Sequence, residues 1–396
     1  MPSQVVLAGA VRTAIGAFNG AFAETPATTL GSAVIRAALQ RARVAGEHVD
    51  EVIFGNVLPA GLGQNPARQA SIGGGLPHSV GATTINKVCG SGLKAVMLAA
   101  QTIAAGNASL VVAGGMENMS RAPYLLEKAR SGYRLGHGQL TDSLIKDGLW
   151  DVYNNLHMGT CGDRCAAKYA FTRQQQDDFA VSSYHRAQAA AKFLAREIIP
   201  VEISSGKTTT LVSEDEGPKR LDEQKLRQLR PAFAKDGTVT AGNASSLNDG
   251  AAAVLVLSAE KAAALGIQPQ ARILGYATAS RQPEWFTIAP IDAVTKLLHQ
   301  LHLTPADVDL FEINEAFAVV TMAAMQELGI PHEKVNVFGG AVALGHPIGA
   351  SGARTLVTLL NAMNQRQARI GIVTLCIGGG EAVAMAVECP IASRGS

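Results

Sequence analysis

The sequence predicts an α/β protein in which a buried sheet is covered by helices on both faces. Three observations lead there. Short apolar runs of strand length alternate with segments whose apolar residues recur at helical spacing. The 396-residue chain is 47% hydrophobic, with 41 glycines and few aromatics, a composition suited to tight turns and closely packed helices. The layout of the first part also returns near the end, a weak internal repeat of two similar halves.

Taken in order, residues 5–10 read as a strand, 29–42 as a helix, 51–57 as a strand and 66–72 as a second helix. In I-N-K-V-C-G-S-G-L-K-A-V-M, residues 85–97, strand-like alternation gives way to helical spacing at Leu93, Val96, Met97 and Ala100. Gly90 and Gly92 sit in the bend, so Cys89 lies on a strand-to-helix turn. Residues 109–114 form a buried strand closed by Gly114 and Gly115. From about Glu117 to Ala241 the chain is polar and mixed, with a helix-like stretch over 173–195, and reads as a large insertion. Excursions of this length usually carry binding function. T-A-G-N-A-S-S-L-N-D-G then leads into a buried strand at 252–257, and residues 291–302 are helical. D-V-D-L-F-E-I-N-E-A parallels H-V-D-E-V-I-F-G-N-V, G-H-P-I-G-A-S-G opens a helix as C-G-S-G does, and I-V-T-L-C-I-G-G-G parallels L-V-V-A-G-G. Two packed half-molecules with a site between their corresponding turns are expected.

A formal charge of +2 gives no basic field for nucleic acid or an anionic membrane, which leaves a small molecule as the expected partner. The N-terminus lacks a signal-peptide pattern, no apolar run reaches membrane-spanning length, and the C-terminal S-R-G-S is not a peroxisomal address. Five cysteines in no scaffold pattern fit a reducing compartment, so a cytoplasmic protein is expected.

Four residues stand where chemistry is done. Cys89, at a helix start, faces the positive end of the helix dipole and unsatisfied N–H groups, which favour thiolate; a buried core thiol is the alternative. His346 is held between glycines and Pro347 at another helix start, with a satisfied core histidine as the alternative. Cys376 ends an apolar strand before three glycines whose N–H groups can point at an anion, with a buried thiol again as the alternative. Asn314 ends another strand, where helix capping is the alternative.

Together these motifs resemble the thiolases, most closely the biosynthetic branch. N-K-V-C-G-S-G-L-K, A-G-G-M-E-N-M-S-R-A-P-Y, N-E-A-F-A and G-H-P-I-G-A-S-G-A-R occur in the family's order and spacing, from V-R-T-A-I-G-A-F to C-I-G-G-G. The resemblance implies the thiolase fold, two βα halves packed as a five-layered αβαβα sandwich with a loop-domain insertion. Residues 1–118 plus 250–270 would form the N-terminal half, 119–249 the loop domain that binds coenzyme A, and 271–396 the C-terminal half. It implies Cys89 as the nucleophile that takes an acyl group, activated by His346, and Cys376 as the acid/base at the second acetyl-CoA. His346 and a water held by Asn314 would form one oxyanion site, and the N–H groups of Cys89 and Gly378 the other. Ser245, with Leu149 and Ala244, would meet the pantetheine arm, and Lys219 or Arg220 the nucleotide end. His157 and Met158 would line the pocket beside the reacting groups, with Phe286 and Ile288 closing it. No metal or redox cofactor is implied, coenzyme A thioesters being substrates, and a homotetramer is implied as a dimer of dimers.

The sequence departs from the family's pattern at Cys161 to Cys165, Phe286, Phe338 and Ser246, and Phe286 and Phe338 are expected to alter pocket shape. His157, Cys161 and Cys165 fall on one helix face, a zinc-like spacing that lacks a fourth ligand. The function implied is reversible condensation of two acetyl-CoA to acetoacetyl-CoA and CoA. The alternatives are a broader-chain 3-ketoacyl-CoA thiolase, a non-catalytic acyl-CoA-binding scaffold, and a redox protein pairing Cys89 with Cys376.

Overall fold

Two-residue alternation divides the long strands between separate apolar cores. In the strand Leu110–Asn118, Val111 and Ala113 pack to one side with Val254 and Val256 of the strand Asn248–Ser258. Leu110 and Val112 pack to the other side with Leu255 and Leu257. The computed structural model describes residues 4–205 and 208–390. The reading of the C-terminal S-R-G-S and of the first three residues lies outside them.

The nine main strands are β1 (Val5–Thr13), β2 (Glu51–Gly55), β3 (Gly81–Ile85), β4 (Leu110–Asn118), β5 (Asn248–Ser258), β6 (Ala271–Ser280), β7 (Leu310–Ile313), β8 (Ile370–Ile377) and β9 (Glu381–Glu388). They pair in the order β7-β8-β9-β6-β1-β5-β4-β2-β3. The halves meet where β1 touches β6 through only Val6 with Arg272 and Leu7 with Ala271. The principal helices are α1 (Ala27–Ala42), α2 (Ser91–Ala104), α3 (Met158–Lys168), α4 (Arg173–Ala189), α5 (Ala289–Leu301) and α6 (Ile348–Arg366).

Helices α2 and α6 share one core with both halves of the sheet. Leu93, Met97, Leu356 and Leu359 pack with Val111 and Val256 on one side and with Val373 and Met385 on the other. Helix α1 covers the far face of the first half, and α5 that of the second. The result is the expected αβαβα sandwich. Its central helices are buried nearly all round, which their alanines, glycines and leucines permit.

The insertion leaves at the end of β4 and returns at the start of β5, where Asn118 pairs with Asp249. Antiparallel pairing of these two strands brings both ends of a long excursion to one sheet edge, beside the turns that carry the candidate residues. Some expected limits differ. Helix α4 stops at Ala189 and a separate turn, Ala191–Leu194, follows. Asn314 caps no helix, because the next one, Ala318–Leu328, begins after Phe317. Strand β2 ends at Gly55, where the Asn56 side chain turns to Glu117.

Candidate active site

Cys89 sits on a turn that other side chains hold in an unfavourable backbone conformation. Val88, a β-branched residue, has φ of 44°. Asn86 Oδ1 accepts the Val88 N–H at 2.9 Å, while Ser91 Oγ accepts the Lys87 N–H at 2.7 Å and donates to the Val88 carbonyl at 2.7 Å. Lys87 Nζ pairs with Glu381 Oε2 at 2.6 Å, tying this turn of the first half to the start of β9 in the second. Gly90 is required by close approach, since a Cβ there would run into Ile377 at the end of β8.

His346 comes from the other half, two residues before α6, and its Nδ1 lies 2.6 Å from Ser351 Oγ. The Ser351 hydroxyl donates to the Pro347 carbonyl at 2.8 Å, so it accepts from His346 and the ring proton sits on Nδ1. Nε2 is left as a free base, 3.5 Å from Asn314 Nδ2. The Asn314 Oδ1 is buried without a protein partner, a position that suits an ordered water. The His346 backbone N–H is fixed by Asn248 Oδ1 at 2.9 Å.

Burial sets the charge states, and it opposes the pull of the helix start toward thiolate. Desolvation pushes the Cys89 thiol up to about 11, although the N–H groups of Gly378 and of Cys89 itself lower it; the charge of Glu117 adds to the rise. The helix dipole is visible in the sequence, but the dry floor on which the sulfur sits is not. Burial, with help from Arg354, lowers His346 to about 3, so its ring is neutral. Cys376 is raised well above the ordinary thiol value by burial first, then by the neighbouring Cys89 and Cys165 sulfurs.

These groups meet at a cleft of about 540 Å³ whose walls include Cys89, His346, Gly378, His157, Met158, Leu149, Ala244, Ser245 and Phe286. Cys376 and Asn314 are fully buried behind it, Cys376 in one apolar cluster with Met158 and Phe286. Two aromatics that the sequence reading missed complete the wall. Phe233 stacks on His157 with centroids 4.6 Å apart, and Phe317 meets Phe233 edge-on at 6.1 Å. Phe317 stands inside N-E-A-F-A and was therefore signalled, whereas Phe233 lies in the polar insertion outside any of the motifs.

The chain matches the model described as thiolase, N-terminal domain, over residues 5–260 and that described as thiolase, C-terminal domain, over 267–389. The chain belongs to the thiolase family. It is 53% identical over 392 residues to acetyl-CoA acetyltransferase 2 of Arabidopsis thaliana, covering 98% of this chain and 97% of that one. It is 54% identical over 387 residues to acetyl-CoA acetyltransferase of Escherichia coli K12, covering 97% and 98%. The crystal structure of the Bacillus anthracis acetyl-CoA acetyltransferase superposes with a TM-score of 0.96 at 41% identity, covering 98% and 99%.

The expectation that Phe338 shapes the pocket is corrected: it is outside the cleft, buried in the core and stacked on Phe193 at 5.5 Å. Lys219 and Arg220 are not on the cleft wall: in the turn Pro218–Arg220, Lys219 pairs with Glu214 and Arg220 with Glu216 at 3.4 Å, so carboxylates of the same loop hold both cations. The His157, Cys161 and Cys165 face is occupied otherwise. His157 Nδ1 caps α3 by accepting the Gly159 N–H at 3.1 Å, and both thiols are buried and raised to about 11. Among the described residues no group of three such side chains is placed to hold a metal ion.

Proposed function

We propose that this thiolase is an acetyl-CoA C-acetyltransferase, condensing two acetyl-CoA to acetoacetyl-CoA and CoA through an acetyl group on Cys89. The observation that carries the reading is the meeting, in one apolar cleft, of a sulfur facing two backbone N–H groups with an imidazole whose Nε2 is unprotonated. As the Cys89 sulfur attacks the thioester carbon, its proton passes to His346 Nε2, and the Gly378 and Cys89 N–H groups receive the oxyanion. The C–S bond to CoA breaks, and the departing sulfur takes the Cys376 proton. The Cys376 thiolate then removes a methyl proton from the second acetyl-CoA. Its enolate oxygen is stabilised by the His346 Nε2–H and a water on Asn314 Oδ1. Carbon attacks the acetyl-cysteine, and the Cys89 sulfur leaves and regains its proton from His346. The residues' own acids and bases balance the cycle without metal or redox cofactor.

Brief exposure to acetyl-CoA is expected to add the mass of one acetyl group to the Cys89 peptide. Unchanged turnover by Cys89→Ala would overturn the assignment. CoA binding without any adduct would favour the scaffold reading instead. The buried Phe286 on the cleft wall supports short acyl groups. Faster CoA-dependent cleavage of a medium-chain 3-ketoacyl-CoA than of acetoacetyl-CoA would favour the broader-chain enzyme.

Exposed apolar side chains on the insertion, Tyr124, Leu126, Leu135 and Leu140, suit a surface that another copy covers and support the homotetramer. A solution mass of four 41.1 kDa chains, measured by light scattering, is the expected result. The five free cysteines support a cytoplasmic setting. Among the described residues no helix is long and apolar enough to cross a membrane.

A further inference from the structure

Glu117 is a fully buried carboxylate next to the last residue of β4, where the insertion leaves the sheet, and nothing in the chemistry above uses it. Both oxygens are fully engaged, and every partner is an N–H donor. Oε2 accepts from the Gly349 N–H at 2.9 Å and the Val57 N–H at 3.0 Å; Oε1 accepts from Asn56 Nδ2 at 2.7 Å and the Leu58 N–H at 3.2 Å. Four donors with no acceptor among them fit an ionised carboxylate, since a proton on either oxygen would face an N–H. A Cβ at Gly349 would stand 2.6 Å from Oε2, so the helix approaches this closely only because glycine is there.

The two segments that Glu117 joins are the two that frame the reacting pair. Gly349 is in the first turn of α6, three residues after His346. Residues 56–58 form a strap under the nucleophile turn: the Asn56 N–H binds the Ile85 carbonyl at 3.0 Å, and Asn86 Nδ2 binds the Val57 carbonyl at 3.4 Å. Val57 and Leu58 of the strap and Ile348 of α6 form one apolar cluster against which Val88 and Cys89 pack.

We propose that Glu117 is a positioning residue of the acyl-transfer step: its carboxylate clamps the strap beneath Cys89 to the first turn of the helix that carries His346, fixing nucleophile and base relative to each other. A negative charge at the helix N-terminus is also favourable in its own right. Burial pushes Glu117 up to about 7, opposed by its backbone donors, and the charge of Asp249 adds to the rise. The same charge raises the Cys89 thiol, so Glu117 disfavours a free thiolate while holding the base that removes its proton. The inference rests on the assignment of Cys89 and His346 above.

The test compares wild type with Glu117→Gln, which keeps the volume, removes the charge and sets an amide NH2 against N–H donors. Two rates are read: acetylation of Cys89 by acetyl-CoA in a single turnover, and alkylation of Cys89 by iodoacetamide across pH, followed on the Cys89 peptide. Acetylation is expected to fall by about tenfold or more, since small misplacements of reacting groups carry effects of this size. The midpoint of the alkylation profile is expected to move to lower pH, because a like charge near the thiolate is gone. A merely structural role would lower the amount of folded enzyme and leave the acetylation rate of the folded fraction unchanged. Acetylation at the wild-type rate would overturn the proposal wherever the midpoint lies. Should the variant not fold, Asn56→Ala, which deletes one 2.7 Å bond to Glu117 and keeps the charge, decides. Slower acetylation with no downward shift of the midpoint supports the clamp, and wild-type acetylation overturns it. A wild type that never acetylates at Cys89 would refute the functional reading itself, which separates the two failures.

Discussion

Replacing Gly92 with alanine tests whether the crossing of α2 and α6 sets the distance between the two halves of the site. Both helices begin beside a reacting group, Cys89 before α2 and His346 before α6. They cross where Gly92 faces Ala350 and Ala353, and a Cβ at 92 would stand 2.6 Å from the Ala353 backbone nitrogen and 3.1 Å from the Ala350 carbonyl oxygen. Ordinary contact begins near 3.4 Å, so the shortfall is about 0.8 Å, and its partner is helix backbone that cannot rotate away. Overpacking of this kind typically destabilises by about 1–3 kcal/mol, a modest loss for so large a core. The functional effect is larger, because a misplacement near 1 Å lowers rates by about 100-fold. The expected outcome is a folded protein with a slightly lower denaturant midpoint whose Cys89 acetylation is slowed by about 10- to 100-fold. Acetylation within twofold of wild type, alongside the same loss of stability, would refute the reasoning: the crossing would then hold the core together without setting the site.

Further outcomes follow from burial and charge. His346 is lowered to about 3 in the fold, so its neutral ring contributes stability fully above pH 6.5, and that contribution is lost as pH falls toward 3. Between pH 6.5 and 5 the wild type is expected to lose about 2 kcal/mol relative to His346→Gln in denaturant titrations, and equal slopes for the two proteins would contradict this. Arg12 is buried with Glu197 at 2.6 Å and Asp215 at 2.7 Å, joining β1 to the insertion, so Arg12→Leu strands two carboxylates. A loss of about 3–5 kcal/mol is expected, read as a lower unfolding midpoint. Phe286→Ala opens the cleft wall at a buried aromatic that meets Phe317 edge-on at 6.5 Å. Its cleavage of a medium-chain 3-ketoacyl-CoA is expected to rise relative to acetoacetyl-CoA, by about tenfold for each methylene newly accommodated.

The nucleophile turn was legible because its signals are local. A change of period at Cys89, two glycines and an apolar run require nothing from elsewhere in the chain. His346, Asn314 and Cys376 were legible for the same reason, each lying at the end of a strand or the start of a helix, and the repeat implied that such ends meet. Glu117 was not. Its donors lie 60 and 232 positions away at Val57 and Gly349, and no spacing in the sequence announces a bond of that range. The pairing of Lys219 and Arg220 was not legible, because their carboxylate partners stand in the same charged run, where pairing and repulsion read alike. The balance at Cys89 was only half legible, because a helix start is a feature of sequence, whereas the desolvation that outweighs it comes from Leu58, Met119 and Ile348 closing over the turn.

That desolvation is what gives the paired thiol and imidazole their use. In water a cysteine and a histidine exchange a proton over a small gap. Here burial moves both toward their neutral forms, Cys89 up to about 11 and His346 down to about 3. In the proposed reaction, charge separation becomes favourable when an acyl carbonyl arrives whose developing oxyanion the Gly378 and Cys89 N–H groups would meet. The strained Val88 peptide, the Glu381 tether on Lys87 and the Glu117 clamp all hold donors and base still while that happens, so little reorganisation remains for the reaction itself. A permanently charged thiolate would react with any electrophile that entered. A neutral thiol beside a neutral base is activated chiefly by the thioester that the cleft is shaped to hold.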